Sequence, residues 1–253
     1  MKKHFSLFLL LVIFMTRSEA QNYFDVSAGL QSIDQTAWNR TIQTYNFNRI
    51  WLKEPMPDLR NASNFSLGYS GVLASGLFFS PSLTYSAFKS SAENENYSTL
   101  ARLRWLSVPL CLDIFPLEFG QDSVSSSVRP FLRVGGGASL LMPRVLINDS
   151  LTTVDDELYQ PMVWPFFYTA GLGVRYNLNK SFGFLFTAMY LRYPSIDLED
   201  FSYALNGNNL VGLTNETSVQ SMTYQLSICF RLNGPKSESG EKPKKKVKFK
   251  KRR

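Results

Sequence analysis

Histidine is almost missing from this chain. The only copy among 253 residues is His4. Beyond that point a Ser-His or Cys-His catalytic pair is excluded, because those mechanisms need an imidazole as general base or acid. Cysteine is nearly as scarce, with only Cys111 and Cys229. Two cysteines and no partnering histidine give no zinc-binding spacing. Both fall in candidate strands on opposite sides of an eight-strand ring. A disulfide needs Cα atoms within about 7 Å, so two small buried thiols are expected instead. Long apolar runs are absent after residue 20, which excludes a spanning helix, since one needs about 20 such residues.

The first 20 residues read differently. Lys2, Lys3 and His4 make a positive start, and Phe5 to Met15 is an apolar stretch too short to span a bilayer. Ser18-Glu19-Ala20 supplies small residues where a signal peptidase needs them, so residues 1–20 are expected to be a signal peptide cleaved before Gln21. No cysteine follows that point, so a lipid anchor is not indicated.

The formal net charge of +7 belongs to the ends. Residues 234–253 hold ten Lys or Arg against Glu238 and Glu241, the signal carries +2, and residues 21–233 are near −3. Any partner that the basicity implies belongs to the appendage.

The central region alternates apolar and polar residues and is rich in aromatics, with 20 Phe and 12 Tyr in the chain. Period-two alternation predicts strands, and aromatics favour both strands and the girdles of membrane barrels. Eight strands are predicted: Asn22–Ile33, Ala62–Leu73, Leu77–Phe88, Thr99–Phe115, Val128–Met142, Trp164–Leu178, Ser181–Tyr193 and Ser221–Leu232. The polar segment at 34–61 is left as a long loop with room for a strand extension or a helix. Pro81 is tolerated only where a ladder bond is absent. Gly135-Gly136-Gly137 suits a bent or closely packed wall.

Long connections at 34–61, 89–98, 143–163 and 194–220 alternate with short ones. In outer-membrane barrels the long loops face outward and the short turns face the periplasm, so both chain ends are expected in the periplasm. The connection 116–127 breaks the alternation of lengths. A soluble barrel would carry its apolar face inside and charges outside. Here the polar face is Ser, Thr, Gly and Gln with few charges. The fold class expected is therefore all-β: an eight-stranded antiparallel up-and-down transmembrane barrel over residues 21–233, in contact with outer-membrane lipids.

By alternation Asp25, Asp113, Arg133, Arg175 and Arg231 point into the lumen. An eight-stranded lumen is about filled by its own side chains, so these residues read as a paired polar core, with an ion or proton path as the sharper alternative. Asp155-Asp156-Glu157 reads as a solvated acidic loop, with cation binding, or pairing with lipopolysaccharide-bridging ions, as the alternative. No cofactor, resident metal or catalytic residue is expected.

The tail at 234–253 is too charged to fold alone and reads as disordered. Lys242, Lys244, Lys245, Lys246, Lys248, Lys250, Lys251, Arg252 and Arg253 are its candidate partner-binding residues. Their expected partners are anionic lipid, peptidoglycan carboxylates or an acidic periplasmic protein. Nucleic acid is not expected for an exported chain. A solubilising tail with no partner is the plain alternative.

Four stretches resemble the PorT-like outer-membrane β-barrel proteins of the Bacteroidetes. They are LRWLSVPLCLDIF (Leu103–Phe115), RPFLRVGGGASLLM (Arg129–Met142), FYTAGLGVRYNLNKSFGFLFTAMYLRYPSID (Phe167–Asp197) and YQLSICFRL (Tyr224–Leu232). The resemblance extends over most of residues 62–233. It implies the barrel type and, through some family members, a link to type IX secretion and gliding. The long first loop and the polybasic tail depart from the family pattern. The functional expectation is a non-enzymatic scaffold or accessory barrel, against a small permeation barrel or an envelope tether acting through the tail.

Overall fold

The computed structural model describes residues 22–34, 36–95, 97–119, 127–149, 154–159, 162–179, 181–197, 202, 205–206 and 216–232. The expected signal at 1–20 and tail at 234–253 lie outside the described residues. The elements are β1 (Tyr23–Asp34), α1 (Thr36–Phe47), β2 (Asn61–Ala74), β3 (Leu77–Asn94), β4 (Tyr97–Ile114), β5 (Val128–Asp149), β6 (Val154–Tyr159), β7 (Phe166–Asn177), β8 (Phe182–Asp197) and β9 (Glu216–Arg231), with a 3-10 turn at Pro116–Glu118.

Every pairing is antiparallel. Neighbours in the chain pair in order from β1 to β5, then β5 with β7, β7 with β8 and β8 with β9. β9 returns to β1 in unbroken register from Tyr23↔Arg231 to Asp34↔Gln220, which closes the ring. Eight strands make the closed barrel. β6 stands outside it and, among the described residues, pairs only with the far end of β5, from Arg144↔Tyr159 to Asp149↔Val154.

Alternation sorts the side chains as expected. On β1, Phe24, Val26 and Leu30 face out and are exposed, while Tyr23, Asp25, Ser27 and Gln31 are buried. The same division holds on β9, where Met222, Tyr224, Leu226, Ile228 and Phe230 are exposed and Ser221, Thr223, Gln225, Ser227 and Cys229 are buried. A wall that exposes apolar and aromatic residues around a polar interior is stable only where lipid covers it.

The short turns at one end are built locally. Gly76 takes the positive φ (74°) that the β2–β3 turn requires. Asn179 Oδ1 accepts hydrogen bonds from the backbone N–H groups of Ser181 and Phe182, both at 2.8 Å, and so ties the β7–β8 turn.

At the opposite end the strands outrun the expectation. The predicted loop at 89–98 is strand except at its tip, because β3 continues to Asn94 and β4 begins at Tyr97. The predicted loop at 143–163 holds the end of β5 and all of β6, and β8 continues to Asp197. β3 and β4 have 18 residues each and β5 has 22, against about 9–11 needed to cross the hydrocarbon. The physical reason is a reversal of pattern. Past the lipid the outer face meets water and turns polar, whereas the inner face turns apolar at Phe88, Ala92, Ala101, Leu103, Leu141 and Val145.

The interior apolar residues of this end face α1, which fills the segment left open as a long loop. Trp38, Ile42 and Tyr45 recur at helical spacing and are buried on one side of α1. They join Leu52, Met56, Leu59, Trp105, Tyr193 and Leu205 in one cluster over the lumen.

Candidate functional site: the filled lumen

The lumen is occupied in three layers. Nearest the short turns, Tyr23, Phe78, Phe115, Phe131, Leu185 and Cys229 form an aromatic floor. Arg175, on β7, is fully buried against it. Its guanidinium carbon lies 4.3 Å from the Tyr23 ring centre and 5.2 Å from those of both Phe78 and Phe115. This is a cation held by ring faces, and its one hydrogen bond among the described residues is from Nη2 to Ser70 Oγ at 3.4 Å. Arg129 sits beside it and forms a two-point ion pair with Glu118 from the 3-10 turn. Ser75 Oγ donates to the Glu118 carbonyl at 2.7 Å and fixes that turn under the barrel mouth.

The middle layer is polar. Arg133 grips Asp113 with two bonds, Nε to Oδ1 at 2.6 Å and Nη2 to Oδ2 at 2.7 Å. Such a fork satisfies both carboxylate oxygens in one plane. Ser80 Oγ donates to the same Oδ2 at 2.7 Å. Asp25 lies within the field of Arg133 and Arg175, and its carboxylate rests over Gly68, where a Cβ would stand 2.2 Å from Oδ2. Hydroxyl pairs complete the layer: Ser27 with Ser227 at 2.8 Å, Ser107 with Ser139 at 2.7 Å and Thr84 with Ser66 at 3.1 Å. Gln225 Nε2 donates to Asn64 Oδ1 at 3.1 Å.

The top layer is α1 and what it holds. Tyr45 donates its hydroxyl to Thr99 Oγ1 at 2.7 Å. Burial pushes the Tyr45 phenol up from its ordinary range, so it stays a neutral donor. Asn46 braces residue 56 from both sides, donating to the Met56 carbonyl and accepting from its N–H, both at 2.8 Å. Thr41 meets Ser202 at 3.0 Å, and the Thr41 carbonyl accepts from Asn206 at 3.1 Å.

Of the five lumen residues predicted from sequence, the structure places Asp25, Asp113, Arg133 and Arg175 together inside the barrel. Arg231 stands apart at the short-turn mouth, half-buried, with Nε unpartnered among the described residues. The Arg129–Glu118 pair escaped sequence reading because Glu118 lay in a connection. The buried charged residues among those described are Asp25, Asp113, Glu118, Arg129, Arg133 and Arg175. Three carboxyl groups stand against three guanidinium groups, so opposite charges are available to one another within the buried interior. Cys111 and Cys229 are free and buried, as expected. The side chains of Asp155, Asp156 and Glu157 on β6 lie outside the described residues. Among the described residues no cluster of His, Cys, Asp or Glu could hold a metal ion.

A closed eight-stranded antiparallel barrel with a lipid-facing apolar wall and a polar interior defines the class: an integral outer-membrane β-barrel. No protein-family model matches the sequence. No curated protein sequence matches it either. Solved structures similar to it include Neisserial surface protein A, at 12% identity and TM-score 0.42, covering 85% of this chain and 97% of that one. Ail, the attachment invasion locus protein of Yersinia pestis, matches at 12% identity and TM-score 0.41, over 85% of this chain and 99% of its own. The outer membrane protein OprG from Pseudomonas aeruginosa matches at 12% identity and TM-score 0.46, over 85% and 98%.

Proposed function

We propose that this chain is a non-conducting, non-enzymatic barrel that serves as a scaffold or accessory protein of the outer membrane. The observation that carries this reading is the lumen, filled from the aromatic floor through the Asp113–Arg133 layer to the α1 cap. A path for ions or solutes needs a continuous wet channel, and paired charges between two apolar layers oppose one. The long-strand end carries α1 and the β5–β6 hairpin. Under the rule that long connections face outward, that end faces the cell exterior and the short turns face the periplasm. Type IX secretion is the process in which we place the protein, on the strength of its resemblance to PorT-like barrels.

Reconstitution in planar bilayers tests the reading. Purified full-length protein should give no steady conductance above the bare bilayer. Stable unitary steps would move the assignment to a permeation barrel.

The polybasic segment supplies the second working part. In the assigned orientation it hangs in the periplasm, where its nine clustered cations from Lys242 to Arg253 suit anionic lipid, peptidoglycan or an acidic protein surface. A chain ending at Asn233 should insert normally and lose cross-linked periplasmic partners in affinity capture. Identical capture by both forms would leave the tail a solubilising appendage.

A further inference from the structure

The large apolar residues that the barrel exposes mostly lie on its lipid-facing wall. Phe47, Ile50 and Trp51 do not. They end α1 and begin its connection to β2, and are 80%, 89% and 51% exposed. On β3 the lipid-facing apolar run ends near Ala87. Trp51 packs edge-on against Tyr97, ring centres 5.2 Å apart, beside the tip of the β3–β4 hairpin. Tyr97 pairs with Asn94, seven residues beyond Ala87. A strand tilted by about 40° climbs about 18 Å in that distance, so these side chains stand in water, clear of their own bilayer.

The display is rigid. α1 runs on past Phe47 as a tight turn, in which the N–H groups of Asn48, Arg49 and Leu52 donate to the carbonyls of Thr44, Asn46 and Arg49, all at 3.1 Å. Leu52, Met56 and Leu59 are buried beneath it in the cluster over the lumen. Asn94 Nδ2 donates to the Trp51 carbonyl at 3.3 Å, and Glu54 and Glu93 exchange backbone hydrogen bonds at 3.3 and 3.4 Å. Apolar side chains on so firm a base lose little freedom when they are covered, which is how an interface anchor is preorganised.

Spacing and charge define what covers them. Phe47, Ile50 and Trp51 stand at i, i+3 and i+4, the pattern by which a helix end fills an apolar groove of a partner. The rim carries both signs. Residues 35–53 hold Arg40, Arg49 and Lys53 and no acid, and Arg49 lies over the Tyr45 ring at 4.1 Å. Exposed Glu54, Glu93 and Glu95 lie on the hairpin side. An anionic bilayer attracts the first group and repels the second, whereas a protein surface matches both.

We propose that Phe47, Ile50 and Trp51 anchor an extracellular docking surface for a protein partner. That partner presents an apolar groove with acid opposite Arg49 and Lys53 and base opposite Glu54, Glu93 and Glu95. The proposal deepens the scaffold reading and rests on it, and on the outward orientation of this end.

Photo-crosslinking of full-length protein in the cells that make it is the test. p-Benzoylphenylalanine at Ile50 should give one discrete protein adduct that the same probe at Arg60, exposed at the foot of the connection, does not. The adducted partner is purified and titrated against full-length protein in nanodiscs. Phe47→Ser/Ile50→Ser should bind it about a hundredfold more weakly than wild type, about tenfold for each anchor. Its heat-modifiability should be unchanged, because both side chains lie in solvent. Lys53→Glu should weaken binding several-fold at low salt and little at high salt. No adduct beyond that at Arg60, an adduct of lipid or glycan alone, or equal binding by the double variant would overturn the proposal. Binding to protein-free phosphatidylglycerol vesicles that the double variant loses would also overturn it, and make the patch a membrane anchor. Conductance in planar bilayers tests the scaffold reading separately: steady steps would overturn that reading whatever the adduct, while a silent bilayer without an adduct would leave it and remove the docking surface.

Discussion

Asp113→Ala is expected to cost the barrel about 3–5 kcal/mol, the usual penalty for leaving one partner of a buried ion pair alone. The Asp113 carboxylate accepts three hydrogen bonds, two from Arg133 and one from Ser80. Its removal strands a guanidinium between an aromatic floor and an apolar cap, with no described acid in register to replace it. Asp25 shares the layer, but its carboxylate is seated over Gly68 on β2. Denaturant unfolding in lipid vesicles, followed by the gel-mobility difference between folded and heated barrel, measures the loss. The double change Asp113→Leu/Arg133→Met should recover most of it, because a matched apolar pair leaves no orphaned charge. A single variant within about 1 kcal/mol of wild type would show that the layer is wet and exchangeable, and with it the filled-lumen argument would fall.

The second large effect is expected at the seam. Gly29 lies on β1 opposite Gln225 of β9, in the pairing that closes the ring. A Cβ there would stand 2.0 Å from the Tyr224 carbonyl oxygen and 2.9 Å from the Gln225 Cα. These are backbone atoms of the partner strand, so no rotamer change relieves the contact. Gly29→Val should therefore prevent closure, leaving chain that fails to reach the heat-modifiable form and is degraded by added protease. Ala28→Val, one residue away on the lipid face, is the control and should fold normally. If Gly29→Val folds as well as Ala28→Val, the strands do not approach as closely as the register implies.

Much of the fold could be read from the chain, and the reasons differ by region. The eight barrel strands were legible because lipid outside and polar residues inside impose one sense of alternation, as on β9 from Met222 to Phe230. The outer strand ends were not, because that sense inverts above the membrane: Lys89, Ser91 and Glu93 looked like loop although Ser90 and Ala92 were packing inward. α1 carried a signal in Trp38, Ile42 and Tyr45 at helical spacing, diluted by the polar residues that face away from the lumen. In the site, alternation gave the direction of Asp25, Asp113, Arg133 and Arg175, whose side chains are buried inside the ring. Alternation gives direction but not depth, so it could not separate Arg231 at the mouth from the four within. Nor could it reveal that Glu118 folds back to meet Arg129 from outside the strand pattern.

The α1 cap sets an order of events. Its binding face is met by Phe88, Leu103, Trp105, Leu141 and Tyr193, which come from β3, β4, β5 and β8. No shelf exists for Trp38, Ile42 and Tyr45 until those strands stand side by side, although α1 is made long before most of them. The helix can therefore dock only once those strands have assembled, so a seated α1 reports that the wall beneath it is in place. A barrel halted short of closure would leave Trp38, Ile42 and Tyr45 uncovered.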